Sequence, residues 1–291
     1  MEDDGTVAEP GTIVPPAKLS DLWLRALSAI VLAALAFALA WAGVLPFAAL
    51  VLAVALIMSW EWSKVVRGAG LDVSLVVHGF SVIAAVALAS FGFAALGVAV
   101  LLIGTIIVLA LEFGGHPLFS AAGVMYTGLP AVALLWLRGS EPHGFNAILF
   151  IVLVVAATDT AAYAFGRLLG GPRLATAISP NKTWSGLIGG ISFAAVVAGV
   201  FAYFTGGPVL ALALAGLLMG LIAQAGDLAE SAMKRAFHVK DASQLLPGHG
   251  GFMDRMDGLV SVTVAAALAA LFLDPQAPAT ALLSGLPVAG L

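Results

Sequence analysis

The sequence predicts an all-α polytopic membrane protein of about nine transmembrane helices with a cytoplasmic N-terminus, and three observations carry that expectation. The first is composition. Of the 291 residues 62% are hydrophobic and only 10% are charged, with a mean hydropathy of +1.09, whereas soluble domains run about 45–50% apolar and about 25% charged. A water-soluble enzyme of this length needs a charged shell, and 12 Lys and Arg plus 16 Asp and Glu do not furnish one. Disorder and coiled coil are excluded by the same arithmetic. The second is the length of the uncharged runs: 35 residues between Arg25 and Glu61, 39 between Asp72 and Glu112, and 44 between Lys182 and Asp227. The third is the placement of positive charge, treated below. The absence of cysteine removes disulfides, thiolate metal sites and Cys nucleophiles.

Taken in order, residues 1–20 are acidic and Pro-containing without the basic start of a signal peptide, and are expected to be a disordered cytoplasmic tail. One crossing takes about 20 residues, so each long run holds two helices and a tight turn. Breakers stand at Gly43 to Pro46, at Phe91-Gly92-Phe93 and at Gly206-Gly207-Pro208. Single spans fit 118–137, 145–168 and 257–273. Residues 21–140 thus form five N-terminal spans and 141–274 a C-terminal transmembrane region. The stretch 275–291 is apolar but short and interrupted by Pro275, Pro278 and Pro287, which suits an interfacial tail. With the N-terminus cytoplasmic, 11 of the 12 Lys and Arg fall on the cytoplasmic side, Arg138 being the exception, as the positive-inside rule expects. Glu61, Trp62, Lys64 and Arg67, closing the second span, are expected to be interfacial anchors.

Polarity concentrates in two zones. Residues 227–257 carry nine charges in 31 positions, and a sparser zone runs from Thr158 to Lys182. Charge at a membrane rim is costly unless paired or hydrated, so both zones are functional candidates. On a helix from Gly226 to Asp241, Asp227, Glu230, Ser231, Lys234 and His238 share one face; the same spacing also suits a solvated, salt-bridged helix end. The loop Leu246 to Gly251 holds three glycines in its last four positions, and its amides can approach an anion closely. Asp254 and Asp257 project to one side at a helix start and, with Asp227, offer oxygen ligands to Mg²⁺; Asp254 also suits a helix cap. In span six Asp159 interrupts an apolar helix, and its roles are a metal contact, a partner for Lys182 or Arg167, or a purely structural one. Lys182, in the loop Ile178 to Trp184 that Thr183 ends as a helix cap, is a point charge for a phosphate, as are Lys234 and Arg235. Ser231 would hydrogen-bond a phosphate, helped by the His249 to Gly251 backbone.

Ser231, Lys234-Arg235, Lys240-Asp241, Leu246-Pro247, His249-Gly250-Gly251, Asp254-Arg255 and Asp257, at this spacing, resemble the signature of the phosphatidate cytidylyltransferases, or CDP-diglyceride synthases. Ala157 to Thr160, Ser179 to Thr183 with Gly186, and Gly226 to Ser231 are also similar to that family. The likeness covers the C-terminal half. Ala161 and Ser243 replace usual glycines, and Ser185 stands where many members have an acid. The resemblance implies a bacterial inner-membrane, multi-pass homodimer, its active site facing the cytoplasm, that converts CTP and phosphatidic acid into CDP-diacylglycerol and pyrophosphate with Mg²⁺. It implies catalytic roles for Asp227, Ser231, Lys234, Asp254 and Asp257, with Asp227, Asp254 and Asp257 on the metal. Substrate binding falls to Asp159, Lys182, Arg235, Lys240, His249, Gly250, Gly251 and Arg255. No nucleic acid is expected as a partner. A CTP-dependent lipid-alcohol kinase and a cation-coupled secondary transporter are the alternatives; the kinase lacks the signature above, and a transporter would show midplane carboxylates and related halves.

Overall fold

The computed structural model describes residues 31, 33–68, 71–243, 245 and 251–284. The expected tail, and with it Lys18, Arg25, Leu246 to Gly250 and the last seven residues, lie outside the described residues. The elements are α1 (Ala33–Ala42), α2 (Val44–Arg67), α3 (Val73–Ser90), α4 (Ala94–Leu111), α5 (Pro117–Arg138), α6 (Gly144–Leu169), β1 (Arg173–Ala175), β2 (Ser179–Thr183), α7 (Trp184–Thr205), α8 (Val209–Ala236), α9 (Met253–Leu273) and α10 (Pro278–Ser284). Among the described residues α2 to α9 are the eight helices long and apolar enough to cross a membrane; α1 is the described part of the remaining expected span. The protein is an all-α polytopic membrane protein.

The turns fall where the breakers predict them. Gly43 precedes α2, Gly92 turns between α3 and α4 at φ 88°, and Gly206 ends α7 at φ 74°. Residues 36 onward form one compact unit, whose core is built from Val82, Leu101, Val124, Leu137, Phe150 and Val154, all fully buried. In lipid no hydrophobic drive pulls helices together, so close backbone approach at small residues carries more of the packing. Thr158 on α6 shows this: its carbonyl lies where a Cβ on Gly190 of α7 would be 2.9 Å away, and its hydroxyl sits 3.1 Å from the place of a Cβ on Gly220 of α8. Three helices meet there with no side chain to spare, and the Thr158 hydroxyl turns back to Val154 O at 2.7 Å.

Four sequence expectations change. The helix expected to reach Asp241 ends at Ala236, and His238 adopts a left-handed φ of 56°, so His238 leaves the face it was assigned. The loop before α7 contains a two-stranded antiparallel hairpin, Arg173 opposite Thr183 and Ala175 opposite Ser179; three- and five-residue strands are too short to register as a hydrophobic period. The C-terminal stretch, expected only as a short apolar tail, forms the seven-residue α10, whose Ala279 and Leu282 are buried against α9, α6 and α5. Of the four expected anchors only Lys64 is exposed, stacked over Trp60 at 5.2 Å. Glu61 and Trp62 are buried, the Trp62 indole N–H donates to Phe119 O at 2.8 Å, and Arg67 pairs with Asp72 at 2.7 Å. A polar residue at the end of a span reads as an anchor when its neighbours are unknown; here α5 and α9 cover that end of α2.

Arg138, the exception to the charge bias, is 4% exposed, donates to Ala40 O and pairs with Glu141 at 2.5 Å. Its charge is consumed inside the protein.

Candidate active site

Five helix ends and the hairpin meet at one end of the bundle: the ends of α2, α6 and α8 and the starts of α7 and α9. Thr183 closes β2 and opens α7, its hydroxyl accepting the Gly186 N–H at 3.1 Å, so the hairpin is tied rigidly to a helix. That tie positions Lys182. Its ammonium pairs with Asp227 at 2.6 Å and donates to Gln224 Oε1 at 3.1 Å, joining the hairpin to α8 across 42 to 45 residues. Ser231, one turn on, donates to the other Asp227 oxygen at 3.3 Å.

Asp257 reaches the same place from α9. A Cβ on Gly226 would strike the Ser261 hydroxyl and come within 3.0 Å of Asp257 O, so only glycine lets α8 and α9 approach this closely. The crossing brings Asp257 within electrostatic reach of Asp227, Asp159 and Lys182, and Asp159 within reach of Asp227 and Lys182. Asp227 is the carboxylate paired with Lys182, and Asp159 and Asp257 lie close enough for their charges to be felt there.

A second cluster lies beside it. Lys234, 8% exposed, is held between Glu230 at 3.1 Å and Asp254. Tyr126 of α5 donates to the other Glu230 oxygen at 2.9 Å. Asp254 also accepts the N–H groups of Ala242 at 3.1 Å and Gly251 at 3.0 Å. It works as a clamp on the segment before α9, and its oxygens are engaged by a cation and two amides. Breaking a buried pair of this kind costs about 3–5 kcal/mol.

The remaining expected residues divide. Arg235 is exposed and donates to Val239 O at 3.1 Å; Lys240 and Arg255 are also exposed at this end. Gly251 is buried against Asp254. His249 and Gly250 lie outside the described residues. Ser185, standing where an acid is usual, donates to Gly170 O and meets Thr183 Oγ1 at 3.0 Å, so its hydroxyl braces the hairpin. Sequence reasoning missed Gln224, Tyr126 and Glu61. Their partners lie 42, 104 and more than 180 residues away, beyond the reach of any local pattern.

Among the described residues no three His, Asp or Glu side chains gather closely enough to enclose an ion by themselves. The donor chemistry nevertheless fits Mg²⁺, which takes one or two carboxylates and completes its shell with water and substrate phosphate. Asp227 and Asp257, within electrostatic reach of each other and of Asp159, are the candidate carboxylates. Asp254 sits beside them with its oxygens committed elsewhere.

The arrangement can hold anionic phosphates on lysine and divalent cations on carboxylates at the end of a lipid-embedded bundle. The comparisons agree with that chemistry. The model of the cytidylyltransferase family matches residues 23–273. A phosphatidate cytidylyltransferase of Brucella suis biovar 1 (strain 1330) is 41% identical over 276 residues, covering 89% of this chain and 97% of that protein. The one from Brucella abortus biovar 1 (strain 9-941) is 42% identical over 269 residues, covering 87% and 94%. A phosphatidate cytidylyltransferase of Staphylococcus haemolyticus (strain JCSC1435) is 40% identical over 146 residues, half of this chain and 55% of that protein. With the match extending from the residues before α1 to the end of α9, the chain belongs to the cytidylyltransferase family.

Proposed function

We propose that this protein is an integral membrane phosphatidate cytidylyltransferase that makes CDP-diacylglycerol and pyrophosphate from CTP and phosphatidic acid. It acts as a homodimer in a bacterial inner membrane, its site open to the cytoplasm, with Mg²⁺ as cofactor. The observation that carries this reading is the juxtaposition of Lys182, Asp227 and Asp257 at the end of the bundle, where a water-soluble nucleotide and a lipid headgroup meet, in a chain of this family.

In the reaction an oxygen of the phosphatidate phosphate bonds to the α-phosphorus of CTP, the bond from that phosphorus to the bridging oxygen of the β-phosphate breaks, and pyrophosphate leaves with the electron pair. A phosphomonoester has a second pKa of about 6 and is largely dianionic at neutral pH, so no strong base is required. The difficulty is bringing two anions together and stabilising the leaving group. Lys182 supplies a point charge that Asp227 and Gln224 hold in place. Lys234, balanced by Glu230 and Asp254, ties α8 to the start of α9 and offers a second ammonium that a substrate phosphate could take. Ser231 offers a hydroxyl next to Asp227. Asp227 and Asp257 would hold Mg²⁺, which when bound neutralises phosphate charge and polarises the leaving group.

The test uses purified full-length protein with CTP labelled in the cytosine ring. Label should enter the lipid phase only when phosphatidate is present, with one pyrophosphate released per lipid labelled. Transfer of the γ-phosphate to a lipid alcohol, with the cytosine label left in water as CDP, would overturn the reading.

A further inference from the structure

Glu61 lies near the end of α2, is fully buried, and among the described residues its side-chain hydrogen-bond partners lie more than 180 residues further along the chain. One carboxylate oxygen accepts the Ser243 hydroxyl at 2.5 Å and the Phe252 N–H at 2.9 Å; the other accepts the Met253 N–H at 2.7 Å. Phe252 and Met253 are the N-cap and first residue of α9, so two of the amides that a helix start leaves without intrahelical partners are satisfied by a carboxylate from another helix. A negative charge is also favoured at the positive end of the helix dipole. Among the described residues no Lys or Arg forms an ion pair with Glu61.

Gly251 sits between this group and Asp254. A Cβ there would come within 2.8 Å of the Glu61 oxygen and 3.0 Å of the Asp254 oxygen. Glu61 thus grips both Ser243 and the start of α9, while Asp254 grips Ala242 and Gly251. Trp62, the next residue, is itself fixed by its bond to Phe119 O, so the grip is backed by the packed α2–α5 contact. Nothing in the chemistry of transfer requires this carboxylate to touch a substrate, since both oxygens are occupied by protein donors.

We infer that Glu61 is a positioning residue: it sets the start of α9, and through it the placement of Asp254 on Lys234 and of Asp257 beside Asp227. This rests on the reading that Lys182, Asp227 and Asp257 form the transfer site. Glu61→Gln is the informative substitution. The amide oxygen can still accept from Ser243 and Phe252, but its NH₂ group faces the Met253 N–H, donor against donor.

The experiment compares the purified full-length Glu61→Gln, Asp227→Asn and Lys64→Met variants with the natural protein, measuring rate against CTP concentration and amide hydrogen exchange of residues 251–253. In Glu61→Gln the maximal rate should fall at least tenfold, the CTP concentration for half-maximal rate should rise at least fivefold, and the 251–253 amides should exchange faster, while Lys64→Met stays like the natural protein. Loss of folded enzyme alone would lower the maximal rate and leave the CTP dependence unchanged; that result overturns the inference. If Glu61→Gln does not fold, Glu61→Asp keeps two acceptor oxygens on a shorter arm and should show the same rise in CTP requirement; an unchanged CTP dependence there overturns the inference as well. Full activity in Asp227→Asn would overturn the site reading itself, whereas an inactive Asp227→Asn beside a fully active Glu61→Gln would overturn only the role of Glu61.

Discussion

Asp72 shows how one side chain serves two purposes. It caps α3 by accepting the Leu75 N–H at 2.6 Å, and it takes Arg67 in a two-point pair at 2.7 and 3.1 Å. Burial by itself would raise its pKa, but the Arg67 hydrogen bond, the Leu75 amide and the Arg67 charge outweigh that and hold the carboxyl below its ordinary 3.8. A lowered folded-state pKa contributes stability that is complete above the unfolded value and is lost as pH falls through the folded one. Asp72→Asn should therefore cost about 1–2 kcal/mol at neutral pH, and should flatten the fall in melting temperature of the detergent-solubilised protein below about pH 4. Lys234 is a sterner case, because its removal leaves Glu230 and Asp254 facing each other. Lys234→Met should lower both turnover and melting temperature strongly, while Lys64→Met, at an exposed position over Trp60, changes neither; equal effects would reduce the assignment to a count of positive charges. Asp159 has a sharper expectation now that Lys182 is seen paired with Asp227. Asp159→Asn should raise the Mg²⁺ concentration needed for half-maximal rate and leave the CTP requirement alone, the reverse pattern assigning it to phosphate positioning. At this scale the sequence marked Asp227, Lys234, Asp254 and Asp257 correctly as a polar concentration, but Glu61 carried the same local signal as a lipid-interface anchor and was misread.

Helices were legible because a membrane sets their length: 35-, 39- and 44-residue uncharged runs can only be pairs of spans joined by a turn. What joins one helix to another was not legible, since it depends on which glycine meets which backbone. The α8–α9 crossing is the clearest instance. Gly226 lets Ser261 and Asp257 O approach, and the methyl group of Gly226→Ala would push α9 away from α8. A displacement near 1 Å at a reacting site costs about a hundredfold in rate, so Gly226→Ala should lose most of its turnover while still inserting and extracting normally. Ser261→Gly in the same chain removes the atoms that the new methyl strikes and should restore a large part of the rate; a double variant no better than the single one would mean that the crossing does not set the site. The hairpin β1–β2 escaped notice for a different reason: its strands are only three and five residues long, and the second carries Asn181 and Lys182, so no period distinguishes it from a loop.

For the whole molecule, the placement of charge is explained on both faces. One end of the bundle carries the lysines and arginines of the site, and the other holds Arg138, whose charge is spent on Ala40 O and Glu141. A chain without cysteine makes the orientation directly measurable. A single thiol in place of exposed Lys240 should react with a membrane-impermeant maleimide in inverted vesicles and be protected in intact spheroplasts, and one in place of exposed His143 should behave oppositely; the reverse pattern would invert the proposed topology. The Lys182–Asp227 bridge has a thermodynamic corollary. A phosphate that takes Lys182 as its counterion leaves Asp227 without one, so loading the nucleotide exchanges one anion for another on the same ammonium. On the proposed reading the released carboxylate would sit near Asp257 and Asp159 without its lysine, and its affinity for a divalent ion would rise at that moment. Nucleotide and metal would in this way be heterotropic ligands, each raising the affinity for the other by the same factor. The order in which they are added should leave the final occupancy unchanged while neither binds well alone.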